Sequence, residues 1–307
     1  MTMLRERSIA ICLLAGLAVA APALAQRAAP SGALPRIRQN ARINLGYSPD
    51  ARPFAFRDAS GGATGYSVAL CQKVADAVQA ELGLAQLRVE WVPVTLADRF
   101  TALQQGRIDV LCGADTETLE RRREVAFSIP IFPGGIGALL RADASTRLKD
   151  ILSGKRSTDP NWRAQAGQLL SAQVFTVVSG TTAEPWLSGK QKEFRLTSKV
   201  MPVDGYDAGV QRVLERKAQV FFGDRAILLD AMTRNPSAKK LALLDRVFTH
   251  ESLALGLARG DEDLRLVVDR TLSQLYASGD VGQLYRQWFG ELDDHAITFF
   301  QWNTLPN

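Results

Sequence analysis

The chain has 307 residues, 46% of them hydrophobic and 22% charged, with a formal net charge of +5. Those proportions describe an ordinary globular protein and carry no signature of disorder. The positive excess holds no basic block: Arg121–Arg123 is the only run of three cations, and no aromatics interleave with it, which argues against a nucleic-acid platform.

Residues 1–25 read as a secretory signal. Arg5 and Arg7 form a positive start, Ile9–Ala20 an apolar stretch, and Ala23-Leu24-Ala25 a small-x-small cleavage site before Gln26. Cleavage after Ala25 would release 282 of the 307 residues to the periplasm and lower the net charge from +5 to +4. The apolar stretch is too short to span a bilayer, and no later run approaches the roughly 20 residues that a membrane helix needs. Cys12, inside that stretch behind bulky Ile11, is badly placed for lipidation. At roughly 100–200 residues per domain, two domains are expected.

Strand and helix patterns then alternate, the mark of an α/β chain with parallel sheets. Arg42–Tyr47 reads as a strand, Pro53–Arg57 as an extended piece and Gly61-Gly62 as a turn. Helix Gly65–Leu82, strand Leu87–Val94 and helix Ala97–Gln105 follow. Val125–Phe132 and Gly137–Arg141 are extended around Gly134-Gly135. A second set begins with helix Leu148–Leu152 and strand Val174–Val178, then a turn into a helix at Ser179–Glu184, where Thr181 and Glu184 have capping-box spacing. Strand Lys199–Pro202, helix Asp207–Arg216, strand Gln219–Phe222 and helix Ala226–Arg234 complete it. Arg246–Ala258 returns as an extended stretch before helices Glu262–Ala277 and Val281–Phe289. Two blocks with a returning chain predict two lobes joined by two crossings, near Phe132–Gly137 and Val247–Glu251.

Cys71 and Cys112 are the cysteines left after processing. In an oxidising compartment two thiols favour one disulfide, and Cys71 shares the apolar helix face with Val74, Ala75, Val78 and Leu82. Two free buried thiols are the alternative.

Asp109–Ser128 says most about chemistry. It reads as a buried strand, a small-residue turn and a short helix, with Arg121 one turn past the helix start. A helix N-terminus offers unpaired N–H groups, and a guanidinium beside it adds a two-pronged donor, so the segment predicts a carboxylate socket. A solvated basic face is the plainer alternative.

Several motifs now fall in order. Gly65-Tyr66-Ser67-Val68-Ala69-Leu70 opens a helix, and Leu103-Gln104-Gln105-Gly106-Arg107-Ile108-Asp109 leads into the socket strand. Thr116, Arg121, Ala126, Phe127 and Ser128 hold a fixed spacing, followed by Gly180-Thr181-Thr182 and Tyr285–Gly290. In this order they resemble the periplasmic solute-binding proteins that serve ABC importers of polar amino acids, over residues 42–290. The resemblance implies an α/β fold, periplasmic-binding-protein-like type II: two α/β lobes joined by a two-segment hinge. Lobe 1 would comprise 40–134 and 249–292, lobe 2 135–248, with a tail at 293–307. It also implies a ligand-binding set. Arg121 and Thr116 would take the α-carboxylate, with Ala114 beside them, Thr182 would contribute from the other lobe, and Asp224 would pair with the α-ammonium. Asp224 has the alternative reading of an N-cap for the next helix, and Thr182 that of a cap of its own.

Within the family the look is nearest to the glutamate/aspartate-binding proteins, which share Cys112-Gly113 and an arginine at position 99. Arg99 could meet a side-chain carboxylate or carboxamide, or lie solvated on its helix. Ser48 stands where those proteins carry an arginine and Gly205 where they carry a histidine, and Ala51 replaces the aromatic of the basic-ligand binders. A polar neutral or acidic amino acid is the expected ligand, an ABC permease the expected partner, and a monomer the expected state.

Catalysis is the main rival. His250 and His295 sit in no nucleophile arrangement, no His/Cys/Asp cluster has metal-ligand spacing, and Gly61–Gly65 lacks a P-loop lysine. No metal, cofactor or catalytic residue is therefore expected. Exported enzymes such as cyclohexadienyl dehydratases share this fold, and a clamp could also serve a sensor.

Overall fold

The computed structural model describes residues 32–155 and 157–306. The expected signal segment, its cleavage site and Cys12 lie outside the described residues. The first element is a helix that the sequence pattern does not announce, α1 (Ala33–Asn40), anchored by fully buried Ile37 and by an Arg36–Asp109 ion pair. β1 (Arg42–Tyr47) leads into a small ribbon of β2 (Asp50–Ala51), β3 (Ala55–Arg57) and β4 (Ala63–Thr64). α2 (Tyr66–Glu81), β5 (Arg88–Pro93), α3 (Arg99–Gln104), β6 (Val110–Thr116) and β7 (Ala126–Gly134) follow.

The second block runs β8 (Ile136–Arg141), α4 (Thr146–Leu152), α5 (Trp162–Ser171), β9 (Val174–Val178), α6 (Ala183–Phe194) and β10 (Lys199–Val203). It continues with α7 (Tyr206–Leu214), β11 (Val220–Asp224), α8 (Arg225–Arg234) and β12 (Leu241–Leu243). The chain closes with β13 (Glu251–Leu257), α9 (Glu262–Ser278), α10 (Val281–Phe289) and α11 (Asp294–Trp302).

Two five-stranded sheets result, ordered β5-β1-β6-β13-β7 and β10-β9-β11-β8-β12. In each, the first three strands are parallel and the last two join antiparallel. Parallel neighbours need crossover connections, which the intervening helices supply. This is the two-part α/β architecture that the alternating pattern implied. The expected extended stretch at Arg246–Ala258 is a strand only from Glu251. Its earlier residues still bond to the second sheet, Phe248 N–H donating to Ile136 O at 2.8 Å.

The chain leaves the first sheet after Gly134 and enters the second at Ile136. The two connections press together at this point. A Cβ on Gly135 would stand 2.2 Å from Thr249 O, so only glycine fits. The Ile136 N–H donates to Thr249 Oγ1 at 2.9 Å.

α2 lays Cys71, Val74, Ala75 and Val78 on the first sheet, where Cys71 is disulfide-bonded to Cys112 of β6. The free-thiol alternative falls. The C-terminal segment packs back on the same half: Phe300 is buried against Tyr276 and Tyr285, and Ser273 and Leu305 bond reciprocally at 2.8 Å. Trp302 stands outside that packing, 86% exposed.

Candidate functional site

The carboxyl ends of parallel strands are where α/β sheets build ligand sites. Here such ends from both sheets converge. β1 delivers Ser48, β6 delivers Ala114, Asp115 and Thr116, β9 delivers the turn to Thr182, and β11 delivers Asp224. Together with Arg99, Arg121, Asp50 and Tyr206 they line one cavity of about 30 Å³. All seven side chains expected from the sequence (Arg121, Thr116, Asp224, Thr182, Ala114, Arg99 and Ser48) border it. A water needs roughly 10–15 Å³ of such space, so the cavity as it stands has room for only a few waters.

The socket differs from the expected helix N-terminus. Residues 117–125 leave room only for a three-residue 3-10 turn, Arg121–Arg123, and Arg121 begins it. The backbone donors there are already used: Arg121 N–H donates to Thr118 Oγ1 at 3.1 Å and Arg122 N–H to Thr118 O at 2.9 Å. What the socket offers is the guanidinium itself. Arg121 Nη1 donates to Thr116 O at 2.8 Å and Nη2 reaches Gly180 O of the other half at 3.3 Å. Burial, with neighbouring Arg99, holds its pKa below the usual value, against the pull of Asp115.

Arg99 is neither free nor solvated. It is 3% exposed, and its Nε donates to Asp115 Oδ1 at 2.6 Å. Nη2 donates to Gly180 O at 3.1 Å, Nη1 bonds Leu96 O, and the guanidinium lies 4.3 Å above the Phe100 ring. Asp115 is a site residue that the sequence reading misses; a carboxylate at the buried end of a strand was the available signal.

Asp224 fulfils its reading as a helix cap and also faces the cavity. Oδ1 caps α8, accepting from Ala226 N–H at 2.9 Å and Ile227 N–H at 3.2 Å, while the residue lines the cavity. Burial pushes its pKa up to about 6, with nearby Glu251 adding to the rise and the backbone donors opposing it.

The capping box at Thr181 is replaced by a frame one residue later. Thr182 holds the N-cap position of α6, Glu184 accepts from Gly180 N–H at 3.0 Å, and Thr181 Oγ1 donates to Val178 O at 2.7 Å. Thr182 uses its hydroxyl elsewhere, donating to Glu251 Oε2 at 2.8 Å. The same oxygen accepts from Thr116 Oγ1 at 2.9 Å. Glu251, at the returning connection, is a second residue that the sequence reading misses.

His250 and His295 are both exposed and face a separate cavity of about 830 Å³ beside the connections. Among the described residues no His, Cys, Asp and Glu side chains group as a metal site.

Residues 43–291 match the profile of the bacterial extracellular solute-binding proteins, family 3. The chain is 27% identical over 260 residues to the L-glutamate/L-aspartate-binding protein of Pseudomonas aeruginosa PAO1, covering 84% of this chain and 80% of that one. It is 25% identical to the glutamate/aspartate import solute-binding protein of Escherichia coli K12, covering 92% and 86%. Among solved structures, an ancestral amino acid-binding protein described as a precursor of cyclohexadienyl dehydratase superposes with a TM-score of 0.68 at 26% identity, covering 84% and 100%. A mutant of ArgBP from T. maritima reaches a TM-score of 0.69 at 24% identity over 84% and 100%, a likeness of fold.

Proposed function

Because this chain belongs to the bacterial extracellular solute-binding proteins, family 3, we propose that it captures a polar amino acid between its two sheets and delivers it to an ABC permease. One observation carries the reading: a guanidinium and a carboxylate from opposite halves, Arg121 and Asp224, border one cavity, and neither has an ion-pair partner among the described residues. A zwitterion leaving water loses hydration at both ends, so each end needs an opposite charge. Arg121 takes the α-carboxylate and Asp224 the α-ammonium. Thr116, Thr182, Ala114, Arg99 and Ser48 complete the walls. The names of the relatives, glutamate/aspartate binders among them, support an amino acid as the ligand.

The moving parts are lobe 1 (40–134 and 249–292) and lobe 2 (135–248), turning about Gly135 and the return near Thr249, with the tail 293–307 riding on lobe 1. Ligand favours the closed form because it touches both lobes only there. Driving a population from 1:99 to 99:1 takes about 5.5 kcal/mol of differential binding. We place the working protein in the periplasm as a monomer, released by cleavage after Ala25, and acting by binding without turnover.

Isothermal titration with the common amino acids tests this. Arg121→Ala removes two charge-assisted bonds to the ligand, each about 1.5–3 kcal/mol, so affinity falls at least 100-fold while the melting temperature of the free protein changes little. Wild-type affinity in that variant would remove Arg121 from the site. Product formed from a bound amino acid would mark an enzyme instead.

A further inference from the structure

Five charged side chains border the cavity: Arg99, Arg121, Asp50, Asp115 and Asp224. Arg99 and Asp115 cancel one another, with Nε and Oδ1 2.6 Å apart and side chains 4% and 6% exposed. Each of the three Arg99 nitrogens already has a partner, the other two being main-chain oxygens. On the amino-acid reading above, the backbone end of the ligand takes Arg121 and Asp224. The charge left for the ligand's side chain is Asp50.

Asp50 stands at the cleft rim in β2 and reaches toward the second half. Its Oδ2 lies 3.1 Å from where a Cβ on Gly205 would be. Among the described residues no lysine or arginine pairs with it. Desolvation and the Asp207 carboxylate both push its own carboxyl above the ordinary value. Ser48 and Gly205, the other positions at this end, bring no charge. A carboxylate-ended side chain entering here meets an anion and no free cation. A side chain ending in N–H groups meets an unpaired acceptor, and the cation that would repel it, Arg99, is neutralised.

We propose that this cleft excludes acidic amino acids and takes one whose side chain ends in N–H donors, cationic or carboxamide, with Asp50 as the selecting residue. The proposal depends on the amino-acid reading and departs from the ligands that name the relatives.

The test is titration of the full mature protein with free L-glutamate, aspartate, glutamine, asparagine, lysine and arginine, repeated on Asp50→Asn. One of the four nitrogen-ended ligands should bind at least tenfold more tightly than both acids, and Asp50→Asn should narrow that ratio at least tenfold. Asparagine is nearly isosteric with aspartate, so the variant keeps its fold. Glutamate or aspartate binding most tightly overturns the proposal and leaves the amino-acid function standing. An unchanged ratio in Asp50→Asn overturns the role of Asp50. If none of the common amino acids binds, the proposal falls together with the reading beneath it.

Discussion

Asp224 caps α8 with one oxygen while its carboxyl is pushed up to about 6 by burial. An ammonium needs the ionised form beside it, so the competent fraction is about nine-tenths at pH 7 and about one-tenth at pH 5. Apparent affinity scales with that fraction, and the dissociation constant should rise about tenfold between those pH values. Titration at both pH values checks this, and a flat profile would detach Asp224 from the ligand. Asp224→Asn should bind weakly at both and lose the pH dependence. In the free protein the same shift acts on stability with a definite sign. The folded carboxyl, raised from 3.8, holds its proton more tightly than the unfolded one. Its contribution is therefore full below about 3.8 and lost as pH rises through about 6.

β6 shows how an element turns burial into a site. Its middle is stapled to α2 by Cys71–Cys112, and the next residues along it, Ala114, Asp115 and Thr116, form the cavity wall. The bridge joins residues 41 apart. A loop of that length constrains the unfolded chain by about 4 kcal/mol in the chain-entropy account. Cys71→Ser/Cys112→Ser should lose about that much in denaturant unfolding, and a loss under about 1 kcal/mol would show that packing alone holds β6. Elements like these were legible because periodic apolar spacing announces long helices and buried strands. What stayed hidden was pairing between distant positions. Arg99 meets Asp115 across 16 residues and Glu251 meets Thr116 across 135, and no local spacing records either. The turn at Arg121 reads as a helix for a local reason. A polar run with a suitable cap carries the same signal whether or not the next strand, beginning at Ala126, leaves room for a helix.

At the scale of the whole molecule, three hydrogen bonds among the described residues cross between the halves beside the cavity. Arg99 and Arg121 donate to Gly180 O, and Thr182 donates to Glu251. The last is the most tunable, because Glu251 is held on its own side by Thr116 and by Thr249, whose hydroxyl donates to Oε1 at 2.8 Å. A hydrogen bond to a charged group contributes about 1.5–3 kcal/mol. Removing it should shift the open-to-closed ratio by about 10- to 100-fold, since 1.4 kcal/mol is tenfold. Glu251→Ala should therefore leave the radius of gyration without ligand, already that of the open form, unchanged by small-angle scattering. Saturating amino acid should still contract it to the liganded wild-type value, at an apparent affinity reduced in proportion to the lost closed population. Thr182→Val removes the same bond without removing a charge and should reproduce the loss of affinity. If both variants keep the wild-type affinity, the bond does not govern closure, and the Gly180 carbonyl with its two arginines becomes the contact that does.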